Sequence, residues 1–144
     1  MNASIWFQPP KLDDLRVQAY GTLVAHLDIR ISEIGEGYLK ATMPVDERTL
    51  QPMGLLHGGA SVALAETLGS VAANLTIDSS RSACVGLEIN ANHLRPVRSG
   101  SVTGTATPAH IGRTTQVWQV EIHDEAARLI CLSRITLAVL DRSD

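Results

Sequence analysis

Runs of like charge are missing from this sequence. Twelve Lys and Arg stand against fifteen Asp and Glu, for a formal net charge of −3. No basic stripe forms, so nucleic acid is not an expected partner. Cysteine is scarce, and Cys84 and Cys131 each sit inside an apolar, strand-like run. They read as buried thiols in a reducing compartment, not as a disulfide framework. No Cys/His group has zinc-ligand spacing, so no metal site is expected. Long hydrophobic runs are absent too. The longest, Ala60 to Leu75, is broken by Ser61, Glu66, Thr67, Gly69, Ser70 and Asn74, and a bilayer span needs about 20 mostly apolar residues. Met1 to Pro10 has no basic region followed by an apolar stretch, so no secretory signal is expected. These absences predict a cytoplasmic chain with no membrane partner.

What is present fits one domain over residues 1–144, a length that buries roughly 70% of the surface of the unfolded chain. Residues 1–20 read as an N-terminal extension, with a short helix expected after Pro9-Pro10. Leu27 to Ile34 and Tyr38 to Val45 alternate apolar and polar residues around Gly35-Glu36-Gly37, which predicts a hairpin. Asp46 to Leu56 is irregular. His57 to Ile77 is rich in Ala, Leu and Val, with apolar residues nearly all around the cylinder, as in a helix covered on most sides. Ala83–Leu94, Ser101–His110, Thr115–His123 and Leu129–Leu140 read as strands of an antiparallel meander. The expected fold class is α+β, a curled antiparallel sheet around one long central helix. A curled sheet leaves edges and one side of the helix uncovered, so a dimer is expected on physical grounds.

Glu66 is the one charged residue between His57 and Ile77. A carboxylate there must be solvated, paired or functional, because burying an unpaired charge costs several kcal/mol. No Lys or Arg stands one turn away, while Ser70 at i+4 shares its helix face. The bland alternative is a solvated stripe, Glu66-Ser70-Asn74. His57-Gly58-Gly59 opens the helix. Its first amides are unpaired and the helix dipole favours negative charge there, which suits a carbonyl oxygen. A glycine-containing cap with no ligand is the alternative reading.

The string from Gln51 through His57-Gly58-Gly59 to Glu66, with its H-G-G-x6-E spacing, resembles the hotdog-fold thioesterases of the 4-hydroxybenzoyl-CoA thioesterase type. Val85 to Arg95 and Gly112-Arg113 extend the likeness. It is closest to the branch holding 1,4-dihydroxy-2-naphthoyl-CoA thioesterase and the enterobactin proofreading thioesterase. The resemblance implies hydrolysis of an aromatic or medium-chain acyl-coenzyme A. Glu66 would be nucleophile or general base, and the Gly58 amide would polarise the thioester carbonyl. His57 and Gln51 would orient that carbonyl, and Ser70 would position water. Coenzyme A would lie along Gly86, along His93, Leu94, Arg95 and Pro96, and along His110, Ile111, Gly112, Arg113, Thr114 and Thr115. It is part of the substrate, so no cofactor is implied. The resemblance also implies a homodimer with sites shared between subunits, assembled as a dimer of dimers. A hydratase or dehydratase on the same fold, or a silent acyl-CoA-binding protein, are the rival readings. The first would need His57 paired with the acid across subunits, and the second would suit a chain lacking Glu66 or Gly58.

Overall fold

The computed structural model describes residues 4–17 and 20–142. Parts of the expected N-terminal extension (1–3 and 18–19), and residues 143–144, lie outside the described residues. Two short helices, α1 (Leu12–Val17) and α2 (Leu23–His26), precede strands β1 (Arg30–Ile34) and β2 (Leu39–Pro44). The long helix α3 (Gly58–Leu75) follows, then β3 (Ser82–His93), β4 (Ser101–Ile111), β5 (Thr115–Asp124) and β6 (Leu129–Asp141). The six strands form one antiparallel sheet in the order β1-β2-β4-β5-β6-β3, and α3 packs against β2 to β6. This is the expected hotdog architecture, with three local differences.

First, the chain at Leu27 is not yet strand. It closes α2, and Asp28 adopts φ 54°, a left-handed conformation that Asp tolerates but that breaks an extended run. Leu27, Ile29 and Ile31 are nonetheless all buried, so the alternation reported the side-chain face and not the backbone. Second, only β4, β5 and β6 form a meander. β3 pairs with β6, from Ser82↔Asp141 to His93↔Cys131, at the far edge. Both flanks of β4 are taken, by β2 and β5, and the segment after β3 crosses over with Val97 buried and its carbonyl accepting from the Leu56 amide at 2.7 Å. Third, Gln116 and not Val117 points inward on β5. Its amide donates to Thr76 Oγ1 at 2.8 Å and accepts from Trp118 Nε1 at 2.9 Å, which satisfies a buried polar group.

The sheet covers one half of α3. Ala60, Ser61, Leu64, Ala65, Leu68, Gly69, Ala72 and Ala73 are buried, two adjacent rows at helical spacing. Glu66, Thr67, Ser70, Val71 and Asn74 on the other half are only part-buried. A helix covered on most sides is therefore not achieved within one chain. At the edge, the Asn74 side chain accepts from the Cys84 amide at 2.9 Å and donates to the Cys84 carbonyl at 3.1 Å. Beyond it β3 exposes Val85 and Leu87, the latter by 65%. Trp6 anchors the N-terminal segment, stacked on Trp118 and donating to the Gly35 carbonyl at 2.7 Å. Cys84 and Cys131 are free and buried, and burial pushes both thiols up in pKa.

Candidate active site

Two clusters of the sequence-predicted residues form along α3, one at its N-terminus and one at its middle. The first is built by the irregular segment before the helix. The buried Thr49 hydroxyl donates to the Pro44 carbonyl at 2.8 Å, and its own carbonyl accepts from the His57 amide at 2.8 Å. A turn from Gln51 to Leu55 closes with Gln51 N–H donating to the Leu55 carbonyl at 2.7 Å and Gly54 at φ +75°. The Gln51 side-chain carbonyl accepts from the Met53 amide, which leaves its NH2 to serve as a donor.

His57 is the N-cap of α3, extended at φ −67° and ψ 130°, and its Nδ1 accepts from the Gly59 amide at 2.8 Å. An accepting Nδ1 puts the ring proton of the neutral imidazole on Nε2, which becomes an outward donor. The Gly58 N–H has no hydrogen-bond partner among the described residues. It is one of the orphan amides of a helix start, and here the capping side chain has taken its neighbour's. Close approach also fixes the residue type, since a Cβ on Gly58 would stand 2.8 Å from His93 Nε2. A cavity of about 340 Å³ joins Gln51, Gly58 and Ser61 to His93, Leu94, Arg95 and Pro96. The exposed His57 ring does not line it. Arg95 is partly committed, its Nη1 donating to the Leu129 carbonyl at 2.6 Å.

The second cluster surrounds Glu66. Its carboxylate lies against β3, where a Cβ on Gly86 would meet Oε1 at 2.6 Å. The β3–β6 register shifts at this point, between Gly86 and Glu88. Ser70, one turn on, lines a larger cavity of about 970 Å³ between the open face of α3 and the α1–α2 segment, with Thr67, Val71, Leu15, Val24 and Ile29 among its walls. The Ser70 hydroxyl bonds no other described residue. The β4–β5 turn sits near this cluster too, because Thr115 pairs with Ala138 and Ala138 with Val85, two strand spacings or about 10 Å away. In that turn Gly112 N–H donates to the Thr115 carbonyl at 3.0 Å and the Thr114 carbonyl accepts from Val139 at 2.9 Å. His110, Ile111, Arg113 and Thr114 are exposed, and Arg113 has no ion pair or hydrogen bond among the described residues.

The distance between the clusters decides what one chain can do. From Gly58 to Glu66 the helix rises about 12 Å at about 1.5 Å per residue. From Gly86 to His93 the strand runs about 23 Å at about 3.3 Å per residue. A donor and a carboxylate that act on one carbonyl group must each come within about 3 Å of it. Within one chain the Gly58 amide and the Glu66 carboxylate thus belong to two separate clusters. Ser61 was not among the residues singled out from the sequence. Its only signal there is a hydroxyl four residues after His57 in a run of Ala, Val and Leu.

Residues 53–131 match the family described as Thioesterase superfamily. The chain is 54% identical to the 1,4-dihydroxy-2-naphthoyl-CoA hydrolase of Escherichia coli over 136 residues, 94% of this chain and 99% of that one. It is 50% identical over 136 residues to the proofreading thioesterase EntH of Cronobacter turicensis, covering 94% of this chain and 98% of the relative. A crystal structure of a thioesterase from Haemophilus influenzae superposes with a TM-score of 0.92 at 52% identity, covering 95% of both chains.

Proposed function

We propose, from the premise that the chain belongs to the thioesterase superfamily and is a thioester hydrolase, that it cleaves an aromatic or medium-chain acyl-coenzyme A at a site shared by two subunits. The observation that carries this reading is the split just described. An unpaired Gly58 amide and the Glu66 carboxylate lie on one helix, too far apart to meet one carbonyl, beside a β3 edge that exposes Val85 and Leu87. A two-fold related copy running antiparallel along that edge would set the Gly58 cluster of one chain beside the Glu66 cluster of the other. The exposed apolar side chains and open backbone edge support that pairing. Two such pairs would assemble back to back as a dimer of dimers.

In the joint site the thioester oxygen accepts from the Gly58 N–H, with the Gln51 NH2 and His57 Nε2–H as neighbouring donors. The Glu66 carboxylate of the other subunit either attacks the carbonyl carbon or takes a proton from the attacking water. The carbonyl π pair moves to oxygen and is held there by the donors. When it returns, the C–S bond breaks and coenzyme A leaves as thiolate, taking up one proton. Water is the only co-reactant: on the general-base route it is the attacking group, and on the nucleophilic route it hydrolyses the Glu66–acyl anhydride left after C–S cleavage, freeing the acid and the carboxylate. Ser70, one turn from Glu66 with an unengaged hydroxyl, is suited to position it. Coenzyme A would run past Gly86 and the His93–Pro96 segment to the β4–β5 turn, where unpaired Arg113 meets phosphate. The larger cavity beside Ser70 would take the acyl group. Two reduced, buried thiols support a cytoplasmic setting.

Glu66→Gln tests the assignment. Gln keeps the shape and removes the charge, so turnover of benzoyl-coenzyme A should vanish while folding and substrate binding persist. Activity within about threefold of wild type would refute it.

A further inference from the structure

We propose that the Ser61 hydroxyl is a second donor to the thioester oxygen, acting beside the Gly58 amide; the proposal rests on the reading that Gly58 binds that oxygen. Among the described residues, four polar side chains belong to buried residues: Thr49, Ser61, Gln116 and Ser133. Three are satisfied within the chain. Thr49 donates to the Pro44 carbonyl, Gln116 bonds Thr76 and Trp118, and Ser133 donates to the Asn90 carbonyl at 2.8 Å. Ser61, 2% exposed, has no hydrogen-bond partner among the described residues. The usual outlet for a helical hydroxyl is a backbone carbonyl one turn back, which Thr67 uses by donating to Ala63 at 2.7 Å. Ser61 does not use it. It forms instead part of the wall of the cavity that holds Gln51, Gly58 and His93.

Among the described residues no side-chain nitrogen or oxygen is both shut off from solvent and unpartnered, so the Ser61 oxygen keeps its one opening toward the cavity, and its partner is to be sought in what fills that cavity. Helical side chains lean toward the N-terminus, which carries Ser61 back over the turn that begins at Gly58. Gly58 and Ser61 are i and i+3, neighbours on one helix face whose Cβ positions lie about 5–6 Å apart. One oxygen between them can accept from the Gly58 N–H and the Ser61 O–H, each at about 2.8 Å. As the nucleophile bonds to the thioester carbon and the π pair moves to oxygen, that oxygen gains an acceptor lone pair, and the second donor strengthens with it. When the pair returns and the C–S bond breaks, the hydroxyl keeps its proton throughout.

Ser61→Ala, in the intact oligomer with benzoyl-coenzyme A, should lower kcat about 10- to 100-fold with KM within about threefold. Its thermal midpoint should stay close to wild type, because no hydrogen bond within the chain is removed. A matched pair of inhibitors isolates the contact: S-phenacyl-coenzyme A carries a carbonyl oxygen, and S-(2-phenylethyl)-coenzyme A lacks it. The substitution should weaken only the first. Should the Ala variant fold poorly, Ser61→Cys, with its weaker donor, serves the same comparison. A kcat within about threefold of wild type, or equal weakening of both inhibitors, overturns the assignment. Glu66→Gln run in parallel separates the two failures. If it is inactive while Ser61→Ala is unaffected, only the Ser61 role falls; if it is active, the shared-site chemistry falls first.

Discussion

Glu66 and Gly86 are held so close that a single methyl group on Gly86 would stand 2.6 Å from the carboxylate oxygen Oε1. The helix supplies the acid, and the strand supplies a gap in its row of side chains for the acid to occupy. Gly86→Ala should therefore act as a positional lesion of Glu66. The carboxylate ends a flexible side chain and can swing away, so the fold should survive with its melting point little changed. A displacement of about 1 Å costs about 10²-fold in rate, and kcat should fall on that order. Unchanged kcat would show that the contact does not position the acid.

Asn74 is the neighbouring case in which the helix holds the strand. Its side chain satisfies both the N–H and the carbonyl of Cys84 on the open edge of β3. Asn74→Ala leaves these part-buried groups unpaired, which costs about 1–3 kcal/mol. Urea unfolding should show that loss with the slope unchanged. A loss below about 0.5 kcal/mol would mean that water replaces the side chain without penalty.

Arg113, exposed and without a partner among the described residues, is assigned above to a coenzyme A phosphate. Arg113→Ala should raise KM for an acyl-coenzyme A several-fold more than for the matching acyl-pantetheine, which lacks the phosphates. Equal effects on both substrates would remove Arg113 from the phosphate site.

Much of this was legible beforehand, and the misses share a cause. Alternation along β4 and β6 and the apolar run of α3 are local patterns, and they marked the elements directly. The edge position of β3 is not local: it depends on which flanks of β4 are already filled, and no periodicity records that. Leu27 and Ile29 alternated as a strand would, yet a left-handed Asp28 lies between them. Alternation along β5 is broken where Val117 and Trp118 are both apolar, and the inward neighbour of Trp118 is Gln116, whose amide bonds Thr76 and Trp118. The site residues were readable as a string because the helix start and its acid are close in sequence. Their division between two subunits was implied by the resemblance, and the spacing in residues becomes a distance of about 12 Å once the helix is built. Ser61 gave no signal of its own, because an unpaired hydroxyl is recognisable only when every other partner has been assigned.

The shared site is tested most directly by mixing two lesions. Glu66→Ala removes the acid of one cluster and Gly58→Pro removes the amide of the other. Proline fits the backbone here, since this is the first residue of α3, where an N–H is unpaired in any case, and the preceding His57 is already extended at φ −67° and ψ 130°. Its Cβ also requires the His93 ring tip, 2.8 Å away, to turn aside. Each variant alone should be inactive or nearly so, the lost amide costing about 10²–10³ in rate. Co-expressed and paired at random, half the dimers are mixed, and each mixed dimer carries one intact site and one doubly damaged site. Activity should then recover to about a quarter of wild type per site. With both chains folded by circular dichroism and shown to pair, no recovery above the separate variants would contradict a site shared between subunits.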